Sequence, residues 1–314
     1  MALYRFIQLD VFTKNAFSGN PLAVFPEAAG IEEALMQKIA REMNLSETVF
    51  VLPPTDERAL RRLRIFTPAR ELPMAGHPVV GTWYLLAREG LVPRPEAGAS
   101  IVRVHQEIGI GVLPVDVEFK DGAPSQVIMT QGKFEVLARV EGAQERAEIE
   151  RALGLAPEDF DESLPIEVIS TGISFLAVPL NSLMALSRCR INSTLLSAIY
   201  KEAGATGCCV FTRETRDSGN ESGAHMRMFA PADNIPEDPA TGSCAGALSS
   251  YLVYHDALEE VEAEEGVFRF IIEQGDFIER PSRIHAEIRG ARGSVEEARI
   301  GGPSVIVAEG HLIF

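Results

Sequence analysis

Two stretches of the chain carry polar residues whose types and spacing could do chemistry. Residues 64–86 read RIFTPARELPMAGHPVVGTWYLL, and residues 227–252 read RMFAPADNIPEDPATGSCAGALSSYL. Both run from a strand ending in Arg-x-Phe-x-Pro-Ala, through a proline-containing loop, into an apolar helix led by glycine. The residue after that glycine is His77 in one copy and Ser243 in the other. The two copies therefore predict a site built from unlike halves.

The spacing of the copies indicates a duplicated lobe. Phe66 and Phe229 lie about half of the 314-residue chain apart, a period that favours duplication over a solenoid. Two such lobes would leave an active-site cleft between them, with two helix N-termini aimed at it. Backbone N–H groups after Gly76 and Gly242 could together receive a carboxylate there. We therefore expect a small anionic ligand.

Glu47 is the first candidate for proton transfer. It opens the apolar strand TVFVL, where partial desolvation suits a carboxylate that takes up and releases a proton. The alternatives are an exposed turn glutamate or the N3 partner of an Asn44 cap. Aligning residues 175–179 with 49–53 places Ile173 at the equivalent position of the second lobe. A glutamate in one lobe and an isoleucine in the other favours a single acid/base.

Three other polar residues have both a chemical and a structural interpretation. His77 stands at a helix start, where the helix dipole favours a neutral, hydrogen-bonding imidazole, or where it simply caps the helix. Ser243 occupies the same place in the second copy and is also a common capping residue. Asp238 precedes a proline, as turn residues often do. The sequence leaves both interpretations open.

Composition excludes several classes of function. The chain is 46% hydrophobic and 24% charged, as is usual for a globular protein. Its net charge of −16 argues against nucleic acid and anionic membranes as partners. No apolar stretch reaches the roughly 20 residues of a membrane span, and the chain opens directly into an alternating strand. We expect a cytoplasmic protein.

Cysteine and histidine usage predicts neither a disulfide nor a metal. The adjacent Cys208 and Cys209 lie in a strand and point to opposite faces, and no CxxC pair occurs. Buried, reduced thiols are the expected state of all four cysteines. The six histidines lack metal-site spacing, so no metal is expected.

The remaining pattern predicts an α+β fold. Isolated helices are expected at 31–43, from Gly76, at 144–153 and at 194–203, among many short strands. No glycine-rich dinucleotide fingerprint follows a strand. The turn Asp121-Gly122 is the best boundary between lobes. The predicted lobes are therefore 1–124 and 125–314, with a terminal strand able to cross back to the first.

Several ordered motifs give the whole chain a family resemblance. They are Asp10-Val11-Phe12-Thr13, Phe17-x-Gly19-Asn20-Pro21-x-Ala23-Val24, Ser46-Glu47-Thr48, Phe66-Thr67-Pro68, Glu71-Leu72-Pro73-x-Ala75-Gly76-His77-Pro78, Glu237-Asp238-Pro239-Ala240-Thr241-Gly242-Ser243, Glu273-Gln274-Gly275 and Arg280-Pro281-Ser282. In this combination the chain resembles the phenazine-biosynthesis PhzF-like family, a branch of the diaminopimelate epimerase-like superfamily.

The resemblance implies a fold and a chemistry. Each lobe would be a curled, mainly antiparallel β-sheet or barrel around a central helix, and the protein a homodimer. The activity would be cofactor-free isomerisation of a small carboxylate, as with trans-2,3-dihydro-3-hydroxyanthranilate. Glu47 would move the proton, and three residues would orient the substrate and stabilise the delocalised intermediate: His77, Asp238 and Ser243. The expected substrate-binding residues are Gly76, Gly242 and Asn20.

Two other functions remain as alternatives. The first is an amino- or hydroxy-acid epimerase or racemase, which generally needs an acid and a base on opposite faces. In the epimerase branch these are two cysteines before the paired glycines, where this chain has Ala75 and Thr241. The second is a binding protein that kept the cleft and lost turnover. The sequence does not identify the substrate.

Overall fold

The computed structural model describes residues 3–217, 219, 221–258 and 261–313. The chain forms two compact units. The first contains the residues up to Thr130 and those from Gly301 onward, and the second contains residues 131–300. The mixture of many strands with a few separate helices confirms the α+β class.

The first unit is a mostly antiparallel sheet with two helices. Its elements are β1 Leu3–Val11, β2 Asn20–Phe25, α1 Glu33–Met43, β3 Glu47–Leu52, β4 Arg61–Phe66, β5 Glu71–Leu72, α2 Gly76–Arg88, β6 Ile101–Ile108, β7 Gly111–Lys120, β8 Ala123–Thr130 and β18 Ser304–Ile313. The strands pair in the order β18–β1–β2–β3–β4–β6–β7–β8, with the short β5 added to β4. The pairs β2–β3 and β4–β6 are parallel.

Helix α2 is the core helix of this unit. Nearly all of its residues are buried, and a helix that is apolar all round belongs in a core. A Cβ at Gly81 would lie 2.7 Å from side-chain atoms of both Leu22 and Val11, so glycine allows the helix to approach the sheet. The indole N–H of Trp83 donates to Gln106 Oε1 at 2.8 Å. The predicted helix from Gly76 is confirmed.

The end of α1 shows whether Glu47 belongs to a helix cap. Asn44 has a left-handed backbone, with φ 50°, and terminates α1. It is therefore not an N-cap, and the alternative that Glu47 is the N3 partner of an Asn44 cap is wrong. Glu47 is instead the first residue of β3.

The second unit follows the same plan. Its elements are β9 Glu135–Arg139, α3 Ala143–Leu153, β10 Glu167–Ser170, β11 Ser174–Leu180, α4 Leu183–Arg188, α5 Ser193–Glu202, β12 Gly207–Thr212, β13 Ser222–Ala230, β14 Ile235–Asp238, α6 Gly242–Tyr254, β15 Val267–Gln274, β16 Ser282–Ala291 and β17 Ser294–Gly302. The strands pair in the order β9–β10–β11–β12–β13–β15–β16, with β14 added to β13. The pairs β11–β12 and β13–β15 are parallel.

The pairing pattern corrects the alignment of the two copies. In the first unit, the parallel pair β2–β3 leads to the antiparallel pair β3–β4. In the second unit, the parallel pair β11–β12 leads to the antiparallel pair β12–β13. Strand β12 is therefore the counterpart of β3, and β11 is the counterpart of β2. The alignment of residues 175–179 with 49–53 is wrong, because it matched β11 to β3.

The counterpart of Glu47 changes with this alignment. Phe66 and Phe229 each pair with the second residue of the neighbouring strand, so the first residues of those strands correspond. These first residues are Glu47 and Gly207. The prediction that Ile173 occupies the equivalent place is wrong. The second unit nevertheless has no carboxylate at the corresponding position.

The cysteines are free and buried, as predicted. Cys208 and Cys209 are consecutive residues of β12. Burial raises the pKa of Cys189 to about 11 and places the pKa values of Cys208 and Cys244 well above the ordinary thiol value. Such thiols stay protonated at neutral pH. Within the described ranges, no helix has the length and apolarity to cross a membrane.

Candidate active site

Glu47 is held at the mouth of a buried strand. Its backbone is paired with Leu22 on the parallel strand β2, and only 9% of the residue is exposed. The residues that follow it on β3 are almost entirely buried. The strand therefore fixes a largely desolvated carboxylate at one end of the sheet of the first unit.

His77 meets Glu47 within this unit. It is the second residue of α2, after Gly76, and its Nε2 lies 3.1 Å from Glu47 Oε2. The exposed fractions of the two side chains are 7% and 11%. The two atoms are close but not aligned as a hydrogen bond. Catalytic hydrogen bonds in unliganded enzymes often tighten only when substrate binds.

The surroundings of His77 favour a neutral imidazole. Burial lowers its pKa to about 3, because the charged form loses its hydration. Burial therefore favours the predicted neutral state. At neutral pH the contact with Glu47 is therefore one between a carboxyl group and an uncharged ring.

Asn20 lies at the same end of the sheet. It is the first residue of β2, is fully buried, and pairs with Val11 on β1. The preceding Gly19 has φ 66°, and a Cβ there would lie 2.3 Å from the Val11 carbonyl oxygen. Only glycine fits this turn. Asn20 stands two residues before Leu22, which pairs with Glu47.

Asp238 is the carboxylate of the second unit that the sequence predicted as a site residue. It ends β14 and is 6% exposed. The Thr241 hydroxyl donates to Asp238 Oδ2 at 2.5 Å. This contact fixes the carboxylate beside the start of α6.

Gln274 braces the same loop, a role that the sequence did not indicate. Its Oε1 accepts from the Thr241 backbone N–H at 2.8 Å. Its Nε2 donates to the Asp238 carbonyl oxygen at 2.7 Å and lies 3.1 Å from Thr241 Oγ1. The available signal was a wholly polar pair, Glu273-Gln274, ending the apolar run of β15.

Ser243 is not a helix cap. The N-cap of α6 is Thr241, and Ser243 is the second helical residue after Gly242. The capping interpretation of Ser243 is therefore wrong, and the residue is half-buried. His77 likewise follows the N-cap Ala75, so it does not cap α2.

Both helices present first-turn N–H groups. The N-cap residues of these helices, Ala75 and Thr241, make no side-chain cap hydrogen bond. A helix start combines first-turn donor groups with the positive end of the helix dipole, which favours an anion. The structure thus joins Glu47 to His77 in the first unit, and Asp238 to the helix start that carries Ser243 in the second.

Comparisons with known proteins identify the family of this chain. A family model described as phenazine biosynthesis-like protein matches residues 9–310. The chain belongs to this family. An uncharacterised isomerase of Clostridium acetobutylicum is 36% identical over 310 residues, covering 99% of this chain and 98% of that protein. The trans-2,3-dihydro-3-hydroxyanthranilate isomerase of Pseudomonas aeruginosa is 34% identical, covering 98% and 99%.

Solved structures confirm the fold of this phenazine biosynthesis-like protein. A PhzF-family protein from Bacillus anthracis matches with a TM-score of 0.86 and 28% identity over the full length of both chains. A probable proline racemase from Agrobacterium radiobacter matches with a TM-score of 0.61 and 13% identity, covering 99% of this chain and 93% of that one. The second likeness concerns the fold alone. The predicted diaminopimelate epimerase-like fold is confirmed.

Proposed function

We propose that this isomerase moves a proton between carbon atoms of a small carboxylated substrate, without a cofactor. The chemistry would be similar to that of the relative named trans-2,3-dihydro-3-hydroxyanthranilate isomerase. The observation that carries the proposal is the buried contact between Glu47 and a neutral His77. A carboxylate in such surroundings can act as both base and acid.

The proposed reaction begins at Glu47. Its carboxylate takes a proton from a saturated ring carbon, and the electron pair of that C–H bond enters the adjacent conjugated system. The resulting carboxylic acid returns the proton to another carbon of the same system, and the double bonds shift. The substrate gains and loses no electrons overall, so the step requires no redox group.

His77 suits both states of that shuttle. A neutral imidazole has one N–H and one acceptor nitrogen. As the Nε2–H tautomer it would donate to the Glu47 carboxylate, and as the other tautomer it would accept from the protonated acid. It would also stabilise charge that develops on the intermediate.

The second unit would hold and polarise the substrate. We assign Asp238 and Ser243 to orienting polar groups of the substrate and to stabilising the delocalised intermediate. The first-turn N–H groups after Gly76 and Gly242 would bind its carboxylate. Asn20 would add a hydrogen-bonding side chain beside Glu47.

A two-thiol epimerase receives no support from these residues. The N-caps of the two helices are Ala75 and Thr241, which carry no thiol. Cys244 is fully buried, and burial raises its thiol pKa well above the ordinary value. A single-carboxylate isomerase accounts for the polar groups present.

The test is proton NMR in D₂O with the full-length protein. The substrates are trans-2,3-dihydro-3-hydroxyanthranilate and a panel of small amino and hydroxy acids, and Glu47→Gln serves as the matched variant. We expect isomerised product and deuterium incorporation with the ring substrate, both lost in Glu47→Gln. Exchange at the α-carbon of another acid would indicate an epimerase instead. No exchange with any substrate, or normal turnover by Glu47→Gln, would contradict the proposal.

A further inference from the structure

Phe17 has an unusual conformation and an unusual exposure. Its φ of 68° lies in the left-handed region, which is rare for a bulky side chain. It is 76% exposed, the highest value for a large hydrophobic residue in the described part of the chain. Backbone strain of this kind persists only where the surrounding structure enforces it, and it concentrates at functional sites.

Hydrogen bonds hold the loop that carries Phe17. The Phe17 N–H donates to Oδ2 of the buried Asp10 at 2.6 Å. Thr13 Oγ1 accepts from the Asn15 N–H at 3.0 Å, and the Thr13 N–H donates to the Pro303 carbonyl oxygen at 3.2 Å. The aromatic ring is therefore held outward by a fixed backbone.

Strand register places this loop beside the proton-transfer pair. Val11 pairs with Asn20, so the loop closes the β1–β2 hairpin directly before Asn20. Two residues further along β2, Leu22 pairs with Glu47. At about 3.3 Å per strand residue, the loop leaves the sheet roughly 7 Å from the level of Glu47.

Helix α2 gives a second indication that the Phe17 loop lies near the Glu47–His77 contact. A Cβ at Gly81 would touch both Val11 and Leu22, so that turn of α2 lies where the loop leaves and rejoins the sheet. His77 stands one helical turn earlier. The loop and the Glu47–His77 contact therefore share one end of the first unit.

We propose that Phe17 is a substrate-contacting residue that packs against the flat apolar face of the bound ring and selects ring carboxylates over small acyclic ones. The inference rests on the proposed function and adds to it a residue that recognises the ring of the substrate. Packing against a substrate ring would remove the exposed aromatic surface of Phe17 from water. Aromatic contacts contribute more binding free energy than their buried area alone. The Phe17 side chain is exposed without ligand, and its backbone is already held in place. Little further ordering would therefore be needed when a ligand binds.

The test measures binding of benzoate and of acetate by calorimetry, with wild type, Phe17→Asn and Phe17→Tyr. Asparagine tolerates a left-handed backbone, so its variant removes the ring without adding strain. Tyrosine keeps the ring. We expect about five- to tenfold weaker benzoate binding in Phe17→Asn, near wild-type binding in Phe17→Tyr and equal acetate binding in all three. The Tm of Phe17→Asn should equal or exceed that of wild type.

Three outcomes would overturn the inference. They are failure of wild type to bind benzoate more tightly than acetate, unchanged benzoate affinity in Phe17→Asn, and equal weakening of both ligands. Glu47→Gln separates this inference from the proposed function. If that variant turns over normally, the proton-transfer assignment fails, whereas a benzoate-specific loss in Phe17→Asn would still establish the ring contact.

Discussion

The two units share a framework that differs little between them. Arg64 forms a two-point ion pair with Glu71, with N–O distances of 2.7 and 2.6 Å. In the second unit, Arg227 and Glu237 form the same pair at 2.9 and 2.7 Å. Each ion pair links two neighbouring strands, β4 to β5 in the first unit and β13 to β14 in the second. We call these two ion pairs the clamps. The repeated sequence therefore has a structural role in both units.

A second shared feature holds the loops. Glu107 on β6 accepts hydrogen bonds from two successive backbone N–H groups of the loop after β3. Glu273 on β15 does the same for the loop after β12. The residue after each glutamate differs, however, being Ile108 in the first unit and the bracing Gln274 in the second.

The units differ where chemistry is proposed. Glu47 corresponds to Gly207, and His77 corresponds to Ser243. Asp238 has an apolar counterpart, Leu72, at the same ladder position. The two units keep the same ion pairs but differ in the groups assigned to the substrate. A fold with two similar halves can in this way supply an asymmetric site.

The largest effect is expected from making the first unit resemble the second. In His77→Ser, the neutral ring beside Glu47 is lost, and we expect kcat to fall by about 100-fold. Steady-state kinetics checks this, with Tm to confirm folding. In Ser243→Ala, kcat should fall by only about tenfold. Equal losses in the two variants would contradict the assigned difference between the units.

Exchanging the bracing residue for its counterpart should destabilise the protein. Gln274→Ile leaves the Thr241 N–H and the Asp238 carbonyl without their partner, at a cost of about 2–3 kcal/mol in unfolding free energy. Urea denaturation measures this cost. The control Ile108→Val should cost about 1 kcal/mol. A smaller loss for Gln274→Ile than for the control would show that the bracing contacts are dispensable.

The two clamps should differ in strength. The Glu237 side chain is 11% exposed and that of Glu71 is 38% exposed, so water screens the first pair less. We expect Glu237→Gln to cost about 2 kcal/mol and Glu71→Gln less than about 1 kcal/mol. Thermal and urea unfolding of both variants checks the order. Equal costs would indicate that burial does not distinguish the clamps.

The smallest effect concerns pH. The pKa of His77 is lowered to about 3 by burial, so between pH 6.5 and 3 the unfolded chain binds a proton that the folded protein does not. Stability therefore falls as the pH decreases through this window, by about 1 kcal/mol from pH 6 to pH 5. His77→Asn should flatten this slope, whereas Ser243→Ala should keep it. An unchanged slope in His77→Asn would contradict the buried neutral state.

Local signals predicted much of the framework and the candidate site. Glycine and proline punctuation located the starts of α2 and α6, and the apolar run after Glu47 located β3. The repeat alignment failed, because FLAVP and VFVLP are similar apolar strands and only long-range pairing shows which one corresponds to β3. The role of Gln274 depends on contacts with Asp238 and Thr241, which are distant in sequence. The burial that lowers the pKa of His77 is likewise a tertiary property.

We assign the movement of the proton to Glu47 and substrate binding to Asp238. The most direct measurement compares deuterium incorporation from D₂O by Glu47→Gln and Asp238→Asn, using the substrate found in the panel. We expect no incorporation by Glu47→Gln, with benzoate still bound, and slower but detectable incorporation by Asp238→Asn. Incorporation by Glu47→Gln at a rate near that of wild type would contradict it.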